Sequence, residues 1–205
     1  MLETAQARSV LEDGKQFEGQ IVAGKFPLKQ YIGGSPRSAV FLTEAAASSS
    51  GKAAIKLLRL ERDSELQLGR LRLATHLAHP HLLQIFDVGE CRIGDEAMLF
   101  AGMEFADETL AQILPLRPLN PGEAQEMARP VLEALAYVHA NGFAHGRLKP
   151  ANVLVVGEQL KLSLDSICRI GVLESPGKEC RQPRQDRWQL PVRRALATPC
   201  PAVPI

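Results

Sequence analysis

Residues that could take part in chemistry are concentrated in three short stretches of this chain. The first is Gly33–Val40, with the sequence GGSPRSAV, whose glycines would allow a backbone to approach a phosphate group closely. The second is Ala53–Lys56, where Lys56 is the one charge in an apolar run that continues to Leu58. The third is His145–Asn152, with the sequence HGRLKPAN, which combines a histidine, two cations and an amide. A plain polar hairpin and a surface lysine on a strand are the alternative interpretations of the first two.

Short apolar runs predict the strands that position the first two stretches. Five such runs are bounded by glycine, serine or charged residues, and they cover Phe26–Tyr31, Ala39–Thr43, Ala53–Leu60, Leu82–Val88 and Ala97–Phe105. Between the third and fourth runs, leucines at helical spacing predict a helix over Ser64–Ala78. Gly69 weakens this helix by about 1 kcal/mol relative to alanine.

A longer helix and a hairpin are predicted to hold the third stretch. The helix begins at Asn120, a good N-cap that is followed by proline in the first turn, and it ends at Asn141-Gly142. Pro130 should kink or restart it. Its apolar stripe is Met127, Val131, Leu135 and Val138. Asn152–Val156 and Leu160–Leu164 then form a hairpin, so the layout is α+β with two lobes.

Composition excludes several broad classes of protein. The chain has 205 residues, with 24 Lys and Arg against 23 Asp and Glu, so no strong global field favours nucleic acid or an anionic membrane. No apolar run approaches the roughly 20 residues of a membrane-spanning helix, and the first residues do not resemble a secretory signal. We therefore expect a cytoplasmic protein. The scattered cysteines predict buried or free thiols rather than a zinc site or a disulfide framework, and they are Cys91, Cys168, Cys180 and Cys200.

The three stretches, in this order, resemble the signature motifs of the protein kinase family, most closely its bacterial Ser/Thr branch. They occupy the places of the Gly-rich loop, the Val-Ala-Ile-Lys strand and the catalytic loop His-Arg-Asp-Leu-Lys-x-x-Asn. Lys56 follows Val40 by 16 residues, and Leu77–His81 resembles the turn after the small-lobe helix of kinases. The resemblance covers about residues 24–171. It implies a bilobal fold with a five-stranded antiparallel N-lobe and a partial helical C-lobe.

The resemblance also implies ATP and Mg²⁺ as cofactors and assigns residues to them. Lys56 would pair with the α- and β-phosphates, while Asn152 and Asp165 would hold Mg²⁺, which prefers hard oxygen ligands. Asp165 lies 13 residues beyond Asn152, where a kinase carries the Asp of Asp-Phe-Gly, although here the triplet is Asp-Ser-Ile. Asp165 could instead simply cap a turn. The other nucleotide-binding positions would be Gly33, Gly34, Ser35, Ser38, Val40, Ala54, Met103 and Glu104.

Several positions depart from the family pattern in ways that weaken a kinase site. Ser35 and Ser38 replace the second and third glycines of the loop, and Pro36 removes a backbone donor. Arg70 stands where a kinase has the glutamate that pairs with the strand lysine, and Glu65 is more than a helical turn away.

The most serious departure is Arg147, which replaces the aspartate that accepts the substrate hydroxyl proton. An always-protonated guanidinium cannot act as a base. Gly146 also replaces the arginine that would receive an activation-loop phosphate. His145 is predicted to be structural, and Lys149 could still contact a γ-phosphate. The His-Gly pair also echoes the His-Gly-Asp loop of small-molecule kinases, but those enzymes need the same aspartate.

The end of the chain carries no recognisable kinase continuation. Of the 14 prolines, six fall in the last 34 residues, among five arginines. No activation segment or Ala-Pro-Glu motif can be recognised there. The composition resembles an unrelated reading frame or a linker, and we expect a truncated kinase-like product. The predicted organisation is an N-terminal extension (1–20), an N-lobe with hinge (21–106), a partial C-lobe (107–171) and an irregular Pro/Arg-rich tail (172–205).

These observations favour a pseudokinase-type binding or regulatory module. Its partners would be a nucleotide and a protein partner or substrate, with no nucleic acid and no membrane segment in this chain. One alternative is an active Ser/Thr protein kinase with unusual catalytic residues. Another is an unstable fragment of a longer kinase, in which the apolar stripe of the long helix would be an exposed surface.

Overall fold

The first lobe is built on a five-stranded antiparallel sheet with the order β3-β4-β5-β7-β6. The computed structural model describes residues 14–45, 51–60, 63–164 and 166–170. The strands of this lobe are β1 (Ile21–Val22), β2 (Phe26–Pro27), β3 (Gln30–Ser35), β4 (Ser38–Glu44), β5 (Lys52–Arg59), β6 (Ile85–Ile93) and β7 (Glu96–Glu104). Helix α1 (Ser64–Ala74) connects β5 to β6 by way of a turn.

The second lobe combines one long helix with short strands. Its elements are β8 (Glu108–Thr109), α2 (Leu110–Ile113), α3 (Pro121–Ala140), β9 (Phe143–Ala144), β10 (Val153–Val156), β11 (Gln159–Leu162) and β12 (Cys168–Arg169). The β10–β11 hairpin is extended by β8 into a three-stranded sheet, and β12 pairs with β9. A single 3₁₀ turn at Pro150–Asn152 leads into β10.

Strand β5 separates the two hydrophobic clusters of the molecule. Successive side chains of a strand point to opposite faces. Ala54 and Leu58 accordingly belong to a large cluster that continues into α1, α3 and the β10–β11 hairpin. Ile55 and Leu57 belong to the cluster on the other face, which includes the buried Phe17 from the segment before β1. One core is therefore shared between the two lobes.

The start of α3 is fixed by a capping box, as its sequence predicts. The Asn120 side chain accepts a 3.0 Å hydrogen bond from the Glu123 N–H, and the Glu123 carboxylate accepts one of 2.9 Å from the Asn120 N–H. A hydrogen bond from Arg117, followed by the bond from Asn120, holds the pKa of Glu123 below its ordinary value. The helix runs continuously through Pro130, so the predicted restart does not occur.

A short stretch of backbone pairing joins the lobes. Leu82 and Leu162 form a parallel bridge. The Leu162 N–H donates to the His81 carbonyl, and the Leu83 N–H donates to the Leu162 carbonyl, both at 2.9 Å. Nearby, the His79 ring lies 5.1 Å from that of Tyr137 on α3, and His81 Nδ1 is 2.9 Å from the Leu160 carbonyl. These two histidines pack the turn against the second lobe.

The predicted order of five strands around one inserted helix is confirmed, and the bounds change at three places. The predicted strand Phe26–Tyr31 is two strands, because β2 pairs with β1 while β3 pairs with β4 as far as Ser35. The fourth strand is Ile85–Ile93 rather than Leu82–Val88, because it forms a hairpin with β7 that draws in its polar second half. Helix α1 ends at Ala74 instead of Ala78.

The apolar stripe of α3 is not the exposed surface considered from the sequence. Val138 is fully buried, together with Ala134, and the rest of the stripe is partly buried against the large cluster. Leu132, which lies outside the stripe, is the exposed large residue of this helix, at 62%. The stripe faces the β10–β11 hairpin and thereby attaches α3 to the core.

Two further observations concern the expectations about membrane segments and cysteines. No helix in the described part of the chain is long and apolar enough to cross a membrane. Cys91 carries a free thiol, as expected, whereas Cys168 is disulfide-bonded and departs from that prediction.

Candidate functional site

Four of the predicted nucleotide-binding residues lie on one face of the five-stranded sheet. Val40 and Lys56 are directly opposite each other on β4 and β5, and Ala54 is opposite Met103 on β7. Ala54 and Lys56 share a face because they are two residues apart on the strand. Val40, Ala54 and Met103 all contact the large cluster, which fixes this face as the one turned towards the second lobe.

Lys56 is the charged residue among these four. It is partly buried, and its cross-strand neighbours Val40 and Ala101 are apolar. On α1, Arg70 is partly buried and Glu65 is exposed in the first turn. Lys56 therefore shares a face of the sheet with the apolar residues Val40, Ala54 and Met103.

The glycine-serine stretch forms the tip of the β3–β4 hairpin. Gly33 pairs with Val40, Gly34 with Ala39 and Ser35 with Ser38, so Pro36 and Arg37 make a two-residue turn. The two serine hydroxyls are 2.9 Å apart, and the Arg37 N–H donates to the Ser35 hydroxyl at 3.3 Å.

This hairpin tip does not depend on glycine for its backbone conformation. Neither Gly33 nor Gly34 has a positive φ, and a Cβ added at Gly33 would meet nothing within 4 Å. The predicted residues Gly33, Gly34, Ser35 and Ser38 thus lie together at the end of the sheet, in a loop whose hydroxyls bond to each other.

The loop from His145 to Asn152 is held by its own hydrogen bonds. His145 is 3% exposed, and its Nε2 lies 2.7 Å from the Ser163 carbonyl oxygen, to which it donates. The Asn152 side-chain amide donates to the Arg147 carbonyl at 2.7 Å. The Ser163 N–H donates to the Asn152 carbonyl at 2.9 Å. The exposed side chains of Arg147 and Lys149 therefore start from a fixed backbone.

Gly146 has a conformational role that the sequence did not reveal. Its φ is +68°, and a Cβ built on it would lie 3.0 Å from the Ser166 carbonyl oxygen. L-residues rarely adopt this region of φ, and the contact is tight. Gly146 therefore does more than replace the arginine that a kinase has at this position: the backbone of the turn itself requires a glycine.

Glu104 ends β7, where its carboxylate is occupied by protein partners. Lys161 Nζ lies 2.9 and 2.8 Å from the two carboxylate oxygens, and the Gln84 N–H donates to one of them at 3.0 Å. A ligand in the cleft would therefore meet the backbone of Glu104 and not its charge. Lys161 was missed from the sequence because nothing local marks a lysine on a hairpin strand as the partner of a residue 57 positions away.

Of the two predicted Mg²⁺ ligands, Asn152 and Asp165, the structure describes only Asn152. Asn152 is buried, and its side-chain nitrogen is used in the hydrogen bond to the Arg147 carbonyl, which leaves its amide oxygen as the atom that would contact a metal ion. Asp165, the predicted carboxylate ligand, lies outside the described residues. Among residues 14–45, 51–60, 63–164 and 166–170, no three His, Cys, Asp or Glu side chains come close enough to share a metal ion. Arg147 and Lys149, which belong to the same loop as Asn152, have exposed side chains.

Comparisons with known proteins agree with this architecture. The family model described as the protein kinase domain matches residues 27–165. The chain is 32% identical over 160 residues to the serine/threonine-protein kinase pkn2 of Myxococcus xanthus, covering 73% of this chain and 19% of that protein. It is 28% identical over 144 residues to the serine/threonine-protein kinase PrkC of Bacillus subtilis (strain 168), covering 67% of this chain and 22% of that one.

A solved structure gives the same result. The kinase domain of Mycobacterium tuberculosis PknI superposes with a TM-score of 0.63 at 27% identity, covering 74% of this chain and 61% of that chain. The chain belongs to the protein kinase family, which confirms the resemblance seen in its motifs. It spans about a fifth of the length of the two curated relatives.

Proposed function

We propose that this chain is a nucleotide-binding module of the protein kinase family that does not itself transfer phosphate, in the manner of a pseudokinase. The observation that carries the proposal is Arg147. It occupies the position of the catalytic base in a loop whose hydrogen bonds, through His145 and Asn152, are otherwise intact. A guanidinium stays protonated and has no acceptor for a hydroxyl proton.

Nucleotide binding is supported by the sheet face rather than by the glycine-rich loop. Val40, Ala54 and Met103 form an apolar platform beside Lys56, and the exposed cations Arg147 and Lys149 come from the opposite lobe. Burial of a base on the platform would supply affinity, and the cations would neutralise the phosphates. A module of this kind would act by binding a protein partner in a nucleotide-dependent way.

The second candidate is an active Ser/Thr protein kinase. It is favoured by the exposed Lys149 of the catalytic loop, which could contact a γ-phosphate. It is also favoured by the similarity of the chain to serine/threonine-protein kinases. In this case another group would have to accept the substrate proton, or the proton would leave without a base and the transfer would be slow.

Two measurements on the full chain separate these functions. The first is a thermal-shift titration with ATP and Mg²⁺, in which we expect the melting temperature to rise with nucleotide. The absence of a shift at millimolar ATP would remove the nucleotide-binding claim. The second is transfer of radiolabelled phosphate from ATP to a generic protein substrate, for which we expect no transfer above the background of Lys56→Ala. Turnover by the unmodified chain that disappears in Lys56→Ala would establish the kinase instead.

Arg147→Asp is the informative variant in the transfer assay. If the only missing element is the base, this change should produce transfer where the unmodified chain shows none. The loop backbone should tolerate it, because Arg147 contributes its main chain to the loop hydrogen bonds and its side chain is exposed.

A further inference from the structure

The side of α3 that faces away from the core carries an exposed apolar surface. Leu132 is 62% exposed, and Ala136 and Ala140, which follow at intervals of four residues on the same side of the helix, are exposed as well. The opposite side packs inward, where Ala134 and Val138 are fully buried. The surface formed by Leu132, Ala136 and Ala140 is called the outer face of α3 below. It is a shallow apolar surface on which another segment can pack.

One edge of the outer face is acidic. Glu126 and Glu133 are exposed and lie seven residues apart, two turns along the same side of the helix. Glu133 has Arg129 at 3.1 Å and a ring nitrogen of His81 at 3.7 Å, whereas Glu126 forms no ion pair within the described part of the chain. A segment that brings positive charge together with apolar side chains would therefore complement this surface.

The described part of the chain ends beside the last turn of this helix. Strand β12 pairs with β9, which begins three residues after α3 ends, and the Ile170 N–H donates to the Gly142 carbonyl at 3.0 Å. The sequence continues for 35 residues, 171–205, which are called the C-terminal segment below. An extended chain spans roughly 3.3 Å per residue and a helix rises about 1.5 Å per residue, so this segment is long enough to run back along α3.

A disulfide bond at the same place links the second lobe to residues outside the described part. Cys168 on β12 is disulfide-bonded, and its sulfur lies 3.5 Å from the Ala144 carbonyl oxygen. Cys91 is a free thiol, and the other cysteines of the sequence are Cys180 and Cys200, both in the C-terminal segment. A bond to either of them would hold that segment near the end of α3 and raise its effective concentration at the outer face.

The composition of the C-terminal segment complements the outer face in charge and in apolar content. It contains six Lys and Arg against three Asp and Glu. It also contains the one tryptophan of the chain, Trp188, which follows Arg187 and lies two residues before Leu190. Tryptophan and arginine are enriched among the residues that supply most of the binding energy at protein interfaces. Residues 187–190 are therefore the part of the segment best suited to an apolar surface with an acidic edge.

We propose that the C-terminal segment folds back onto the outer face of α3, with Trp188 packed against Leu132 and Arg187 directed to the acidic edge at Glu126. The segment thereby covers, within one molecule, an apolar surface that would otherwise be open to a second copy of the chain or to another protein. This docking involves no nucleotide, so the inference goes beyond the proposed function and neither one requires the other.

Trp188 makes the contact directly measurable, because the chain has one tryptophan. The first measurement is acrylamide quenching of its fluorescence in the full chain without reductant, so that the Cys168 disulfide stays intact. We expect Trp188 to be protected relative to a free tryptophan derivative. Leu132→Glu should bring quenching to the level of the free derivative and shift the emission to the red. Glu126→Lys should raise quenching to an intermediate level, because it reverses the charge of the edge.

The second measurement is the rate of tryptic cleavage after Arg187, followed by mass spectrometry. A docked segment is cleaved when it opens, so the rate follows the population of the open form. Leu132→Glu should accelerate this cleavage by about tenfold, the factor expected from loss of the apolar contact of one leucine side chain.

The matched control is Leu66→Glu. Leu66 is a 46% exposed leucine on α1, in the first lobe, so the change introduces the same side chain into a helix away from the outer face. This variant should match the unmodified chain in quenching and in cleavage rate. A cooperative melt followed by circular dichroism shows that each variant is folded.

Several results would overturn the inference. One is quenching of Trp188 in the unmodified chain as efficient as that of the free derivative. Another is a folded Leu132→Glu variant that behaves as Leu66→Glu does. Protection of Trp188 that develops only as the protein concentration rises, together with a dimer in size-exclusion chromatography, would assign the outer face to a second copy instead. None of these results bears on ATP binding, which tests the proposed function separately.

Discussion

Gly146 illustrates how a single residue can be constrained by backbone geometry at a position where sequence comparison suggests only a lost function. The turn after His145 needs a φ of +68°, and the space where a Cβ would stand is closed by the Ser166 carbonyl oxygen at 3.0 Å. The side chain of the next residue, Arg147, is exposed, so its substitution should have little effect on the stability of the fold. Adjacent positions in one loop thus have opposite tolerance to substitution.

Gly146→Ala should destabilise the protein by about 2 kcal/mol, because the new Cβ adds left-handed strain and a close contact. Chemical unfolding of the full chain measures this as a lower midpoint. Gly69→Ala in α1 is the matched control, since its added Cβ would meet nothing within 4 Å. That change should stabilise by about 1 kcal/mol through helix propensity. Equal effects of the two variants would contradict this account of Gly146.

At the scale of elements, the Lys161–Glu104 ion pair fastens the β11 strand to the end of β7. The Lys161 side chain is 12% exposed and that of Glu104 is 29% exposed, so the pair is shielded more than a surface salt bridge. The Gln84 N–H adds a third element by donating to the same carboxylate. The position of the Glu104 backbone in the cleft therefore depends on a residue of the second lobe.

Lys161→Met should destabilise the protein by about 1–2 kcal/mol, because it leaves the Glu104 carboxylate partly buried with one neutral donor. Adding Glu104→Gln should recover part of the loss, and unfolding of the four proteins of this cycle gives the coupling between the two residues. Lys25→Met is the control: Lys25 pairs with Asp87 but is 61% exposed, so its loss should cost less than about 0.5 kcal/mol. A coupling energy below about 0.5 kcal/mol, the value expected of an exposed pair, would show that the Lys161–Glu104 ion pair does not stabilise the contact between the two strands.

The sequence was sufficient for the elements whose signals are local. Short apolar runs predicted five strands around a helix, and the Asn120-Pro-Gly-Glu cap predicted the start of α3. Three ordered motifs predicted the family. The features that could not be predicted from the sequence depend on contacts between residues that are distant along the chain. The split at Phe26–Tyr31 follows from pairing with β1, the length of β6 from pairing with β7, and the role of Lys161 from a partner in another lobe.

The same distinction holds within the candidate site. The motif spacing predicted site roles for Lys56 and Asn152, which stay predictions, and the sheet register places Val40, Ala54 and Met103 on the same face as Lys56. The conformation of Gly146 depends on Ser166, twenty positions later, and no local pattern encodes that distance. The predicted ligand role of Asp165 falls outside the described residues and stays a prediction.

At the scale of the whole molecule, stability should depend on pH through Cys91. Partial burial raises the pKa of this thiol from 9.0 to about 11. The unfolded chain therefore ionises this cysteine before the folded chain does. Its contribution to stability is fully present below about pH 9 and is lost as the pH rises towards about 11. Chemical unfolding across this range should show a falling free energy of unfolding.

Cys91→Ala isolates this contribution. The variant loses some packing at every pH, so the comparison is of slopes and not of absolute values. We expect its free energy of unfolding to fall less steeply above about pH 9 than that of the unmodified chain. Parallel slopes would show that the thiol stays as accessible in the folded protein as in the unfolded one.

The bridge between Leu82 and Leu162 has a mechanical consequence. Two main-chain hydrogen bonds of 2.9 Å at this point make it a fulcrum between the lobes. If the sheet rocks against the second lobe, residues close to the fulcrum, such as Glu104 with its bonds to Gln84, travel little. The β3–β4 hairpin is on the far edge of the sheet from β6, so it would move the furthest. A rocking motion of the sheet would therefore leave the Glu104 end of the cleft nearly fixed and would change the position of the β3–β4 hairpin most.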